Sequence, residues 1–150
     1  MITTQPMTTT RTTALQDTRV DVRVLLAGLW TSMLFVFAYV DIFGFWRADV
    51  INGALTGTVP GVGFDINQVF LTGTTLYILI PSLMIAFSLV ARPAVNRVTN
   101  IAVSVVYAAT VVVSVIGETW IYYLLGSAVE VVLLLSIARV AWTWPRHAAQ

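Results

Sequence analysis

Residues 120–138 read WIYYLLGSAVEVVLLLSIA, an apolar run that contains one acidic residue, Glu130. Three similar runs precede it, at residues 24–45, 69–91 and 101–116. A helix needs about 20 mainly apolar residues to cross the hydrocarbon core of a membrane. In lipid, only helices and closed barrels satisfy every backbone hydrogen-bonding group within the protein. The sequence therefore predicts an all-α polytopic membrane protein, folded as a four-transmembrane-helix bundle.

The segments around these runs are short. We expect a transmembrane domain at 20–144, with spans at about residues 23–45, 68–91, 98–117 and 119–141, between a disordered cytoplasmic tail at 1–19 and a cytoplasmic tail at 145–150. The external loop at 46–67 contains four glycines and a proline. It is either a flexible loop or a partly ordered cap with a short helix near Asp49–Leu55. We favour the cap, because loops of this length are often functional lids.

Composition excludes several classes of protein. With 58% hydrophobic and 10% charged residues, a chain of 150 residues could not cover a soluble surface. A net charge of +1 argues against a nucleic-acid partner, which requires a basic surface. The absence of cysteine removes disulfides, thiolate metal sites and thiol redox chemistry. The one histidine, His147, lies beyond the last span, so no haem, metal site or other cofactor is expected inside the bundle.

The arginines predict the orientation of the chain. Loops on the cytoplasmic side of a membrane carry an excess of basic residues. Placing both termini in the cytoplasm leaves Arg47 as the one external arginine. The other seven are then internal: Arg11, Arg19, Arg23, Arg92, Arg97, Arg139 and Arg146. This asymmetry opposes an antiparallel pairing of two copies in one membrane.

Glu130 is the residue of greatest chemical interest. It lies ten residues from Trp120, which at 1.5 Å per residue is about 15 Å into the membrane, near the midplane. An ionisable side chain at that depth is costly, so we expect it to face the bundle interior or a wet cavity. Thr119, Tyr123 and Ser127 share its helix face, which supports an inward direction.

The other spans offer polar residues at a similar depth. The third span carries a polar stripe with Ser104 and Tyr107, and Pro81 in the second span frees the carbonyl group of Tyr77. No arginine lies near the midplane, so Glu130 has no ion-pair partner. Its carboxyl group is therefore either a hydrogen-bonding group that holds helices together or a proton-coupling or cation-binding group. The candidate binding residues are Glu130, Tyr107, Ser127, Tyr123, Ser104 and Tyr77.

Asp41 is the second acidic residue within a predicted span. It lies close to Trp46, at the expected level of the outer headgroups, where hydration costs little. It is either an interfacial residue, which we favour, or part of an outer vestibule together with Asp65 and Glu118. An acidic rim of that kind would attract cations through its electric field.

Three segments resemble a known family. They are LFVFAYVDIFGFW at 34–46, GALTGTVPGVGFDINQVF at 53–70 and IGETWIYYLLGSAVEVV at 116–132. Together they are similar to an uncharacterised family of small bacterial four-span integral membrane proteins, a domain of unknown function. The number of spans and the chain size also resemble DoxX-like membrane proteins. The family resemblance implies a four-helix architecture and a multi-pass location in the bacterial inner membrane, and it implies no catalytic residue.

Two kinds of function fit these features. The first, which we prefer, is a small-molecule-binding or transport-related module with a midplane carboxylate. The alternative is a structural or accessory membrane subunit whose polar interior only specifies helix packing. An enzyme is not expected, because the spans hold no His or Cys, no Ser–Lys pair and no paired acids at one depth. The expected partners are the lipid bilayer, a small amphipathic or cationic ligand and, since four helices enclose little room, further copies of the chain.

Overall fold

The computed structural model describes residues 19–144, and this part of the chain forms five helices. These are α1 (Val22–Gly44), α2 (Ala48–Thr56), α3 (Gln68–Val90), α4 (Pro93–Ser114) and α5 (Ile121–Trp142). Extended pairing within the described residues is limited to one isolated bridge between Thr58 and Asp65. Residues 1–18 and 145–150, on which the two predicted tails fall, lie outside the described part.

Four of the helices are long and apolar enough to cross a membrane. α1, α3, α4 and α5 have 22 or 23 residues each, with 18-residue windows of mean hydropathy between 1.5 and 2.0. At 1.5 Å per residue a 22-residue helix is about 33 Å long, which matches a hydrocarbon core of about 30 Å. The chain is thus an all-α, multi-pass membrane protein with four spans, and the predicted fold class is confirmed.

Local sequence determines where these helices begin. The Asp21 side chain accepts a hydrogen bond from the backbone N–H of Arg23 at the start of α1. Asn67 accepts two such bonds from the first turn of α3. Both residue types are strong helix caps. α4 begins at Pro93, earlier than the expected residue 98, because the φ of proline suits the first helical position and its missing N–H costs nothing there.

The four long helices pack side by side around one core. α1 contacts both α3 and α5, α5 also contacts α4, and α3 makes only a small contact with α4. The end of the bundle at which α1 begins is called the arginine end, because it carries Arg19, Arg23, Arg92, Arg97 and Arg139. The opposite end, called the α2 end, carries only Arg47 among the described arginines.

The core is densest toward the arginine end. Its completely buried side chains include Leu26 and Trp30 of α1 and Leu134 and Ile137 of α5, each 0% exposed. Toward the α2 end the same four helices instead enclose a cavity. The two halves of the bundle therefore differ in how completely they are packed.

One glycine allows α1 and α5 to approach closely at the α2 end. A Cβ atom on Gly126 would overlap the side chain of Val40, so only glycine fits there. The small-xxx-small spacing of Gly28 and Ser32 permits a similar approach in α1, but no neighbouring helix uses it within the described residues. A Cβ atom on Gly28 would meet nothing within 4 Å, and the Ser32 hydroxyl donates to the Gly28 carbonyl of its own helix.

The segment between α1 and α3 folds back on itself. The short helix predicted near Asp49–Leu55 is present as α2, and it ends at Gly57, whose φ of 75° is left-handed and suits glycine. The next residues return over α2, so that a Cβ atom on Gly53 would lie 2.6 Å from the Thr58 carbonyl oxygen. No residue of this segment lines the cavity, so a role as a cap over a ligand stays a prediction.

Candidate ligand cavity

A cavity of about 260 Å³ lies between the four long helices in the half of the bundle nearest the α2 end. Every long helix contributes to its wall. Its polar lining includes Asp41, Tyr77, Thr110, Tyr123, Ser127 and Glu130. Tyr123 is the third residue of α5 and Glu130 is the tenth, so the cavity extends from the end of the bundle to about the middle of α5.

Glu130 lies at the inner end of this cavity. The residue is 3% exposed and lines the cavity wall. Within the described residues both ion pairs belong to Arg47, so no basic side chain pairs with Glu130. The one fully buried side-chain atom there without a hydrogen-bond partner is Arg97 Nε, so the Glu130 carboxyl oxygens make no protein hydrogen bond but keep surface that faces the cavity. Buried polar groups nearly always have a partner. An unpartnered carboxyl group beside open space is therefore the feature that most needs an explanation.

Asp41 faces the same cavity from α1. It lies three residues before the end of its helix and is exposed, so it occupies the mouth of the cavity rather than its floor. The outer vestibule predicted from Asp41, Asp65 and Glu118 is not brought together. Asp65 lines a separate shallow groove beside Phe64 and Asn67, and Glu118 pairs with Arg47.

Tyr77 organises the α3 side of the cavity. Its hydroxyl group lies 2.6 Å from the Thr110 hydroxyl of α4, and its carbonyl oxygen, which Pro81 leaves without a helical donor, accepts a hydrogen bond of 2.6 Å from the Tyr107 hydroxyl. The two tyrosine rings stack with centroids 4.7 Å apart. These contacts join α3 to α4 where the helices otherwise touch little.

The six candidate binding residues are placed in three ways. Glu130, Ser127, Tyr123 and Tyr77 line the cavity together. Tyr107 lines a small void of about 10 Å³ beside it, with its hydroxyl group already used. Ser104 is 0% exposed and donates to the Ile101 carbonyl of its own helix, away from the cavity.

Sequence reasoning missed some of the cavity wall. Phe37 of α1 and Thr110 of α4 line it and are not among the six candidate binding residues, whereas Asp41, an interfacial residue in the favoured interpretation, lines its mouth. The spacing of Thr110 and Ser114, one turn apart and on the Tyr107 side of α4, was an available signal. Phe37 offers no such signal, because an aromatic residue in a membrane span resembles any other apolar one.

A second buried polar group lies closer to the arginine end. This asparagine cluster consists of Trp30, Ser88, Asn96 and Asn100, all 0% exposed. The Trp30 indole donates to the Asn100 amide oxygen over 2.7 Å, and the Ser88 hydroxyl donates to the same oxygen over 3.2 Å. Asn96 and Asn100 bond each other, and Asn96 donates to the Ser88 carbonyl. The cluster joins α1, α3 and α4 and leaves no group free for a ligand.

Arg47 forms a clamp at the α2 end. Its guanidinium donates twice to Asp49, over 2.7 and 3.1 Å, and once to Glu118 over 2.9 Å. It also lies 4.8 Å from the ring centroid of Trp120, a cation–π distance. The clamp therefore joins the start of α2 to the turn between α4 and α5.

The acidic partners of the clamp remain ionised at neutral pH. Burial opposes ionisation of Glu118, but hydrogen bonds from the Arg47 guanidinium and from the backbone N–H groups of Trp120 and Thr119 outweigh it and lower the pKa of Glu118. The pKa of Asp49 is also lowered, chiefly by its hydrogen bonds from Arg47. Arg47 is thereby engaged by two carboxylates and does not line the cavity.

The cavity wall contains both acidic and aromatic side chains. It combines two carboxyl groups with the aromatic rings of Phe37, Tyr77 and Tyr123, which attract cations through their faces. No three His, Cys, Asp or Glu residues come together anywhere in residues 19–144, so the donor set of a typical protein-bound metal ion is not assembled in that part of the chain.

Comparison with known proteins identifies the family and nothing more specific. No curated protein and no solved structure matches the chain. One family model matches residues 15–150, nearly the whole sequence. This agrees with the resemblance drawn from the three quoted segments, and the chain belongs to the family described as "Family of unknown function (DUF6326)".

Proposed function

We propose that this protein is a membrane-embedded binding module for a small organic cation, with a transport-related role. The observation that carries the proposal is the unpartnered carboxyl group of Glu130, 3% exposed and facing a cavity within the spans. A buried carboxyl group is neutralised either by a proton or by a counter-charge, and among residues 19–144 no side chain supplies the counter-charge. A cationic ligand in the cavity would.

Charge and shape both favour an organic cation. A carboxylate and a cation about 4 Å apart attract each other by about 4 kcal/mol at an effective dielectric constant of 20. Each well-placed aromatic face adds about 0.5–2 kcal/mol. The cavity of about 260 Å³ is smaller than the roughly 300–1,000 Å³ of pockets for drug-sized ligands. An ammonium compound with a few carbon atoms fits this combination best.

We further propose that the cavity opens away from the cytoplasm of a bacterial inner membrane. Five of the six described arginines lie at the arginine end, and basic residues favour the cytoplasmic side. Both termini would then be cytoplasmic and the mouth of the cavity, at Asp41, would face outward. The cavity of one copy is small and reaches only to about the middle of α5, so transport across the membrane would require an oligomer or a rearrangement of the helices.

The experiment is calorimetric titration of choline into the protein reconstituted in lipid nanodiscs at pH 8. The uncharged isostere 3,3-dimethylbutan-1-ol is the matched ligand control. We expect choline to bind, the isostere to bind far more weakly, and Glu130→Gln to reduce choline affinity at least tenfold, equivalent to about 1.4 kcal/mol. Asp65→Asn removes an acid that lies outside the cavity and should change the affinity little. Equal binding of choline and its isostere would refute a cation site.

The accessory-subunit alternative has its own supporting observation. The asparagine cluster shows that this chain uses fully bonded polar groups to join α1, α3 and α4. If Glu130 served the same purpose, Glu130→Gln would preserve both folding and every measurable property of the protein. Loss of choline binding by a variant that remains folded favours the binding module instead.

A further inference from the structure

The cavity presents two acidic residues in different surroundings. Glu130 on α5 is 3% exposed at the inner end. Asp41 on α1 is exposed at the mouth. The other titratable groups that face the cavity are the phenols of Tyr77 on α3 and Tyr123 on α5, and α4 contributes Thr110, Val111 and Ser114, none of which titrates. No basic side chain of the described residues lines it.

An empty cavity of this kind has a clear electrostatic preference. Burial disfavours the charged form of a carboxyl group, and a nearby like charge disfavours it further. Asp41 is exposed at the mouth, where water can hydrate it, so its charged form is disfavoured less than that of the buried Glu130. Glu130, buried and facing that charge without a donor or a cation, has only a proton available to neutralise it.

We propose that cation binding in this cavity is an exchange for a proton: Glu130 holds a proton when the cavity is empty, and an incoming ammonium ion displaces it. Asp41 maintains the negative potential that both keeps Glu130 protonated and draws the cation in. The O–H bond of Glu130 breaks, its electron pair stays on the carboxylate, and the proton leaves past Asp41 to water. One positive charge enters as one leaves, so the net charge of the cavity is unchanged.

This inference rests on the proposed cation site and adds a direction of coupling to it. Choline and the proton compete for one carboxylate. The apparent affinity for choline should therefore increase about tenfold per pH unit over the range in which Glu130 of the empty cavity is protonated. It should become constant at a pH high enough to ionise Glu130 in the absence of choline. A cation site without exchange would show no such slope.

The test is choline titration of the nanodisc-reconstituted protein in phosphate and in Tris at the same pH. These buffers differ in their enthalpy of ionisation, so the difference in measured heat counts the protons released. On the sloping part of the pH profile we expect about one proton released per choline bound. Asp41→Asn should release fewer protons at the same pH, and its affinity should become constant at a lower pH. Asp65→Asn should release as many protons as the parent chain.

The outcomes separate the two proposals. Choline binding without proton release would overturn the exchange and leave the cation site standing. Failure of the parent protein to bind choline at any pH, with its helical circular dichroism intact, would remove the cation site and the exchange with it. Unchanged proton release by Asp41→Asn would show that Asp41 does not influence Glu130. The pH profile of the parent chain needs no variant, so a folding defect in Asp41→Asn cannot hide the result.

Discussion

The asparagine cluster and the cavity lie in the same four helices and differ in whether their hydrogen bonds are made. In the cluster, the indole of Trp30, the hydroxyl of Ser88 and both asparagine amides have protein partners. In the cavity, the Glu130 carboxyl group has no ion-pair partner among the described residues, and its oxygens keep surface that faces the cavity. A satisfied polar network makes a core rigid and specific. Burial alone therefore does not point to a binding site in this molecule; the proposed site rests on burial beside open space without an ion-pair partner.

Substituting leucine in each region should give opposite effects, and this is the largest difference we expect. Asn100→Leu leaves the Trp30 and Ser88 donors and the Asn96 amide oxygen without their partner. It should reduce the free energy of unfolding by about 2–4 kcal/mol. Glu130→Leu replaces a buried acid with an apolar side chain and should leave stability unchanged or increase it. Unfolding in SDS-containing mixed micelles, followed by far-UV circular dichroism, measures both.

Asn52→Leu is the control for that comparison, because Asn52 lies exposed on α2. It should change the free energy of unfolding by less than about 0.5 kcal/mol. An equally large loss of stability for Glu130→Leu and Asn100→Leu would mean that both polar groups stabilise the packing of the helices. The accessory-subunit interpretation would then be preferred.

The contact between Gly126 and Val40 beside the cavity should give a smaller effect, which tests whether the spacing of α1 and α5 determines choline binding. Gly126→Ala places a methyl group against Val40 and should cost about 1–3 kcal/mol of unfolding free energy, while separating α1 from α5 and weakening choline binding. Val40→Ala in the same chain should restore both. Gly28→Ala is the matched control, because nothing lies within 4 Å of the added atom, and it should be neutral or slightly stabilising. Failure of Val40→Ala to rescue would show that overlap is not the cause.

The clamp should give the smallest effect, and one that depends on pH. The pKa values of Asp49 and Glu118 are lowered from 3.8 and 4.5, so their pairing with Arg47 stabilises the folded protein above those values and is lost as the pH falls through the lower folded-state values. Arg47→Gln should therefore reduce the thermal unfolding temperature slightly at pH 7, and the difference from the parent chain should become smaller as the pH falls below the ordinary values of 3.8 and 4.5. Arg92→Gln, an exposed arginine at the other end, should show little difference at any pH in this range. A clamp effect that stayed the same size at every pH from 7 down to acid unfolding would contradict the ionic explanation.

Several features of the site were accessible from sequence because they depend on position along one helix. The distance of Glu130 from Trp120 gave its depth, and the spacing of Tyr123, Ser127 and Glu130 predicted a shared face, which agrees with their common place in the cavity wall. The effect of Pro81 on the Tyr77 carbonyl follows from the geometry of a single helix. Its donor, the Tyr107 hydroxyl, comes from another helix and was only one of several residues considered.

The features that sequence analysis misplaced all depend on how one helix is rotated against another. Asp41 joins Glu130 because Gly126 lets α1 lie against α5 beside Val40. Gly28 and Ser32 have the small-xxx-small spacing that Gly126 lacks, yet Gly28 makes no close contact. Glu118, in the turn between α4 and α5, pairs with Arg47, in the turn between α1 and α2, and does not join a vestibule. Asn96 is the fourth residue of α4, and its link to another helix is the hydrogen bond that it donates to the Ser88 carbonyl of α3.

The amino-acid sequence by itself determined that this chain has four membrane-crossing helices, because long apolar runs admit no other structure in lipid. It also determined that one acid lies deep within the last helix. Only the tertiary structure decided which polar groups have partners and where space is left, because hydrogen bonds and voids between helices depend on their relative rotation and distance. Those two properties, rather than the presence of buried polar residues, separate the packed half of the molecule from the half that contains the cavity.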